Sequence, residues 1–207
     1  MPVSRKTGVM AEILLFHHAL GLTIGLQSFA ERLRANHHVV HCPDAYSGQT
    51  FKNLDDGLRF AQDIGHDALE EVANRAYRQH RDAAVVIGFS LGSSQAQQLA
   101  QHKRRIKACL LMGGAQAPES LGGDWRHTCH LQLHVADPDE WVDPDVVEGL
   151  MYRAPNGELF RYNSKGHMFV DPSSRDYDAD AADQFEDRVV DWLATIDADA
   201  GEAWARF

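Results

Sequence analysis

Apolar residues along this chain gather into short runs separated by longer stretches of helical periodicity. The runs are Glu12 to His18, His38 to Cys42, Ala83 to Phe89, Ile106 to Met112, His130 to Val135 and Leu159 to Asn163. Each is brief and mostly apolar, as strands buried on both faces of a parallel sheet should read. Between them the pattern predicts helices over Thr23 to Ala35, Leu54 to His80, Ser93 to Lys103 and Pro144 to Tyr152, and a last one over Asp180 to Ile196. In that last helix Phe185, Val189, Trp192, Leu193 and Ile196 recur at spacings of three and four, which puts them on one face. Strands alternating with helices, with no repeat, low-complexity segment or linker, predict one α/β domain over residues 1–207. The expected architecture is a three-layer sandwich with a mostly parallel central sheet flanked by helices.

The run ending at Phe89 carries the sharpest signal. Its end lies within Gly88-Phe89-Ser90-Leu91-Gly92, and a helix-like stretch follows, so a serine stands at the apex of a strand, a tight turn and a helix. Such a turn pushes Oγ clear of the sheet, and small residues two positions on either side let the helix and a neighbouring strand approach. Ser90 is therefore the candidate nucleophile. A Gly-rich turn that serves packing alone is the bland alternative.

Composition narrows the partners. The chain has 207 residues, 44% of them hydrophobic, and a formal net charge of −10 with His neutral. That acidic balance argues against nucleic acid and against anionic membranes, which call for clustered Lys and Arg. The basic cluster Lys103-Arg104-Arg105 closes a predicted helix, where cations suit the dipole. Cys42, Cys109 and Cys129 form an odd count without a disulfide spacing, so reduced thiols and a cytoplasmic protein are expected. The stretch Met1 to Met10 is short and polar, and no apolar run approaches the roughly 18 residues of a membrane span.

A nucleophilic serine on this scaffold needs an acid and then a histidine later in the chain. After Leu133-His134-Val135 comes the carboxylate-rich loop Ala136-Asp137-Pro138-Asp139-Glu140-Trp141, and after the last strand comes Ser164-Lys165-Gly166-His167-Met168-Phe169. Catalytic groups in open parallel sheets gather at the carboxyl ends of the strands, so these loops can converge on Ser90.

At this point the chain resembles the dienelactone hydrolase family of α/β-hydrolases over nearly its whole length. The resemblance rests on Phe16-His17-His18-Ala19-Leu20-Gly21-Leu22, Pro43-Asp44-Ala45-Tyr46-Ser47-Gly48, the turn at Ser90, and Gly166-His167, in that order. It implies an α/β-hydrolase fold with Ser90 as nucleophile, where the best-known members carry cysteine, and His167 as base. The family acid lies five residues past a strand-terminal histidine, and from His134 that count reaches Asp139, with Asp137 as runner-up. The resemblance also implies an oxyanion hole built from the backbone N–H groups of Ala19 and Leu91. His18 stands where the cysteine enzymes hold a glutamate against the thiol, so dienelactone itself is not assumed to be the substrate.

The implied activity is hydrolysis of a small-molecule ester or lactone through an acyl-enzyme, with Asp139 orienting His167. A thioesterase or small-substrate peptidase stays open within that class, and a non-catalytic hydrolase-fold protein binding a small ligand or partner is the alternative outside it. Too few residues separate Met112 from His130 for a large cap domain, so the pocket is expected to be compact. His18, Tyr46, Trp125, Trp141 and Phe169 are its candidate walls, each next to a catalytic loop. No cofactor is expected, and no metal: His17-His18, His37-His38 with His41 and Cys42, and His127 with Cys129 and His130 all lack a recognised ligand spacing.

Overall fold

Alternation of apolar side chains along each strand sends half of them to one face and half to the other, and both faces here are covered by helices. The computed structural model describes residues 10–204, with side-chain surroundings defined through residue 198; the polar N-terminal stretch lies outside it except for Met10. The elements in chain order are β1 (Glu12–Phe16), α1 (Ile24–Ala35), β2 (Val39–His41), α2 (Leu54–Ile64), α3 (His66–Gln79) and β3 (Val85–Phe89). There follow α4 (Leu91–His102), β4 (Ala108–Met112), β5 (His130–Ala136), α5 (Pro144–Arg153), β6 (Gly157–Tyr162) and α6 (Ala179–Trp204).

The strands form one six-stranded sheet in the order β2-β1-β3-β4-β5-β6. Every neighbouring pair is parallel. Ile13, Leu15, Val85, Ile87, Leu110 and Met112 pack on one face against Leu26, Phe29 and Leu33 of α1 and Phe185, Val189, Trp192 and Leu193 of α6. Leu14, Phe16, Val86, Cys109, Leu111 and Leu133 pack on the other against Ala73 and Ala76 of α3, Ala96 and Leu99 of α4, and Val147 and Leu150 of α5. Each buried Leu, Ile or Phe side chain contributes about 1.5–3 kcal/mol relative to exposure, so these two layers supply the main driving force. The connection from β4 to β5 holds only a short 3-10 turn, Pro118–Leu121, and no large cap covers the sheet among the described residues.

Helix starts follow local chemistry. The Thr23 hydroxyl accepts from the Leu26 amide to cap α1, and Asn53 Oδ1 accepts from Asp56 to cap α2. The long helix expected over Leu54 to His80 is two helices, because Gly65 adopts φ +86°, where the right-handed path ends. The helix expected from Ser93 begins at Leu91, directly after the serine. No helix among the described residues is long and apolar enough to cross a membrane.

The chain moves from β1 outward to β2 and then returns across β1 to β3, so the loops after β1 and β3 leave the sheet in a crevice at its switch point. That crevice is where ligands bind in open α/β sheets.

Candidate active site

Ser90 directly follows β3 with φ +48° and ψ −107°, a conformation that few residues other than glycine adopt. The surroundings hold it there. Its own N–H donates to Met112 O at 2.6 Å, and its carbonyl accepts from the Ser93 N–H at 2.9 Å. The Ser93 hydroxyl donates to Gly88 O at 3.1 Å. A Cβ on Gly88 would lie 2.4 Å from Gly92 O, and one on Gly92 would lie 2.4 Å from Phe16 O. The glycines flanking the serine are thus required by backbone approach.

His167, on the loop after β6, reaches Ser90: its Nε2 stands 2.7 Å from Oγ. Its Nδ1 stands 2.8 Å from Asp139 Oδ2. A carboxylate only accepts, so Nδ1 carries the proton, and the Nε2 lone pair is left to accept from the Ser90 hydroxyl. The imidazole rests over Gly113, where a Cβ would come 3.1 Å from Cε1. Asp139 Oδ1 accepts from the Trp141 N–H at 3.0 Å, so both carboxylate oxygens are held. Asp137, the other candidate acid, is exposed, and its backbone N–H is taken by Tyr162 O.

The loop after β1 is tied down from several sides. His17 Nε2 accepts from the Ala45 N–H at 3.1 Å, and its Nδ1–H donates to His18 O. Burial pushes the His17 pKa down, which suits a neutral ring bonded in this way. His18 is fully buried; its Nδ1 accepts from the Leu20 N–H and its Nε2–H donates to Asp171 Oδ2 at 2.8 Å. Asp171 also accepts from the Thr23 hydroxyl at 2.7 Å and the Ser173 N–H at 2.7 Å. Burial alone would raise its pKa, but these donors outweigh burial and hold it below the ordinary carboxylate value.

So fixed, the loop leaves the Ala19 N–H without an acceptor among the described residues. Leu91, the first residue of α4, has no partner one turn back within its helix, and its N–H shares the positive end of the helix dipole.

A cavity of about 180 Å³ opens beside Ser90 and His167, walled by Leu54, Leu58, Trp141 and Val142. It is small against the roughly 300–1,000 Å³ that encloses a drug-sized ligand. A larger groove of about 740 Å³ lies along β2 and α3 and does not include Ser90, so the smaller cavity is the one that bears on this chemistry.

Several expected wall residues lie elsewhere. Tyr46 is buried in a separate cluster with Ala61 and Leu69 and donates to Gly57 O. Trp125 is buried against the α4 and α5 side of the sheet with its indole N–H on Cys129 O, and Phe169 is buried on the α1 and α6 side. His18 is spent on Asp171. Large rings next to loops here fill gaps between layers, and of those proposed only Trp141 lines the cavity. Asp171 was missed in the sequence, although a carboxylate directly after the apolar Met168-Phe169-Val170 hints at a buried acid in need of donors.

Solved structures share this arrangement of strands and helices. A dienelactone hydrolase-like promiscuous phosphotriesterase from metagenomic libraries is 19% identical, with 93% of this chain and 89% of that chain covered at a TM-score of 0.75. A Klebsiella pneumoniae protein assigned as a dienelactone hydrolase is 18% identical, covering 92% and 89% at 0.68. The esterase domain of a Rhodothermus marinus protein is 17% identical, covering 92% and 89% at 0.57. At such identities the likeness is one of fold. No curated protein sequence matches the chain significantly. The sequence model of one family, however, matches residues 3–197, and the chain accordingly belongs to the dienelactone hydrolase family of hydrolytic enzymes.

Proposed function

We propose that this enzyme cleaves small ester or lactone bonds by two-step acyl transfer on Ser90, with His167 as general base and acid and Asp139 orienting it. The observation that carries the reading is the unbroken chain of hydrogen bonds from Ser90 Oγ through His167 to Asp139, at 2.7 and 2.8 Å. His167 Nε2 takes the hydroxyl proton as Oγ attacks the carbonyl carbon. Negative charge then develops on the carbonyl oxygen, where the N–H groups of Ala19 and Leu91 are the free donors; one such donor contributes roughly 2.7–4 kcal/mol to lowering the barrier. Collapse returns the proton from His167 to the departing alkoxide. Water then loses a proton to the same nitrogen, attacks the acyl-enzyme, and frees the acid and Ser90.

The tautomer inferred above supports this assignment, because a ring donating at Nδ1 to Asp139 is the form that accepts at Nε2. The small cavity favours short acyl groups.

Burst kinetics with p-nitrophenyl acetate test the proposal. Wild type should release one equivalent of p-nitrophenol rapidly and then turn over. Ser90→Ala and His167→Ala should lose turnover by about 10³-fold or more, and Asp139→Asn by a comparable factor through the wrong tautomer. Asp137→Asn should retain activity. A Ser90→Ala enzyme as active as wild type would remove Ser90 from the mechanism. Because one structural neighbour is described as a promiscuous phosphotriesterase, the wider panel should include a phosphotriester beside lactones and short esters.

A further inference from the structure

Glu12, His41 and His80 belong to three separate segments that the fold brings together. Parallel pairing sets Glu12 beside Val39 and Leu14 beside His41. Paired residues share a face, and so do residues two apart along one strand. Glu12 and His41 therefore project from the same side as Leu14, the side that α3 covers. His80 caps the C-terminal end of α3 and supplies a second imidazole at the same place.

One donor atom from each of the three residues lies within 4.8 Å of the other two. Glu12 Oε1 is 2.9 Å from His41 Nε2 and 3.7 Å from His80 Nδ1. Ligands about 2.0–2.1 Å from a tetrahedral ion stand about 3.3 Å from each other, and the two approaches to Glu12 bracket that distance. The longer approach exceeds hydrogen-bond length, and the His80 ring makes no hydrogen bond among the described residues.

We propose that Glu12, His41 and His80 bind one divalent transition-metal ion, zinc foremost, at the β1–β2 edge of the sheet, with water completing the coordination. Two imidazoles and one carboxylate suit zinc, nickel or copper, whereas calcium and magnesium call for oxygen ligands. The donors are part-exposed, and His41 and His80 border the 740 Å³ groove along β2 and α3, which provides an entry path and room for the water ligand.

The two rings stack with centroids 3.4 Å apart at an interplanar angle of 19°. Stacked rings aim their lone pairs side by side, so loading the site turns one ring out of the stack. His80 is the ring free to turn, since it follows the helix and its side chain is 31% exposed. The site is separate from the chemistry at Ser90, which lies at the opposite end of β3 from the turn that follows His80. Donors this far apart in the chain have no local spacing, which is why the histidine pairs in the sequence did not reveal them.

The test is zinc titration of the untagged, chelator-treated full chain by calorimetry, with cobalt absorbance as a second probe. Wild type should bind one ion per chain with Kd at or below about 10 μM, and zinc should raise its Tm. His80→Ala and His41→Ala should each weaken binding at least about tenfold and abolish the Tm rise. Circular dichroism establishes that the variants are folded; His80→Ala removes a part-exposed ring with no hydrogen bond of its own among the described residues, so it remains informative should His41→Ala fail to fold. Ser90→Ala should bind zinc like wild type. Binding weaker than about 10 μM, or binding unchanged in both histidine variants, would overturn the proposal.

Discussion

Asp171→Asn should destabilise the protein and slow it together. The carboxylate is about 1% exposed and accepts from the His18 ring, the Thr23 hydroxyl and the Ser173 amide. An amide in its place presents one oxygen and one NH₂, so whichever way it is turned an N–H of the chain faces another N–H. Losing hydrogen bonds to a charged acceptor costs about 1.5–3 kcal/mol each, and a buried donor left unpaired costs about 1–3 kcal/mol. We therefore expect a loss of about 2–4 kcal/mol in urea unfolding at pH 7, followed by tryptophan fluorescence.

The same substitution frees the loop that presents the Ala19 N–H. Complete loss of one oxyanion donor lowers kcat by about 10²–10³, so displacing the Ala19 N–H, the oxyanion donor proposed above, should lower kcat by about tenfold while KM changes little. The sign of the pH effect is also fixed. The folded pKa of Asp171 is depressed, so its contribution is present above the unfolded value of about 4 and is lost as pH falls through the folded value. The gap between wild type and variant should close below about pH 4. A variant within about 0.5 kcal/mol of wild type at pH 7 with unchanged kcat would refute the reasoning.

Gly92→Ala should lower stability by about 1–3 kcal/mol or more and impair turnover, because the new Cβ meets Phe16 O at 2.4 Å and His17 O at 2.8 Å; a thermal melt and an esterase assay check this. His134 is fully buried, and burial first, then Arg188, hold its pKa down to about 3. The unfolded chain thus binds an extra proton below about pH 6.5, and this residue alone should remove about 1.4 kcal/mol of stability per pH unit between there and its folded pKa. His134→Gln should flatten the stability profile between pH 6 and 4 by about that slope, as measured by urea unfolding at each pH. Burial raises the thiol pKa of Cys109 and Cys129, the latter to about 12, so a thiol reagent should spare both in the native protein and modify them once urea is added.

The strands were legible because each is a short apolar run, and the helical stripe of α6 because its buried residues keep strict three- and four-residue spacing. The break at Gly65 was not, since a lone glycine within a helical pattern is often tolerated and only its positive φ makes it a boundary. Ser90, Asp139 and His167 could be read as candidates because each follows a strand at the carboxyl edge of the sheet. His18 and Asp171 are 153 residues apart, and nothing local announces their bond. Neighbourhood in sequence also misled the choice of cavity walls: Leu54 and Leu58 reach Ser90 from a different part of the chain, while Tyr46, Trp125 and Phe169 sit beside catalytic loops yet point into packed layers.

The break at Gly65 lets α2 pack as an element of its own. α2 carries Leu54 and Leu58 into the cavity, yet Phe60 and Ala61 pack with Tyr46, Phe51 and Leu69 in a small apolar cluster distinct from the two main cores. Gly57 of the same helix also backs onto the loop after β1, where a Cβ would lie 2.0 Å from Ala19 O, so the cavity wall and that loop are held as one unit. A substitution at Gly57 would therefore disturb the cavity wall and the Ala19 loop together.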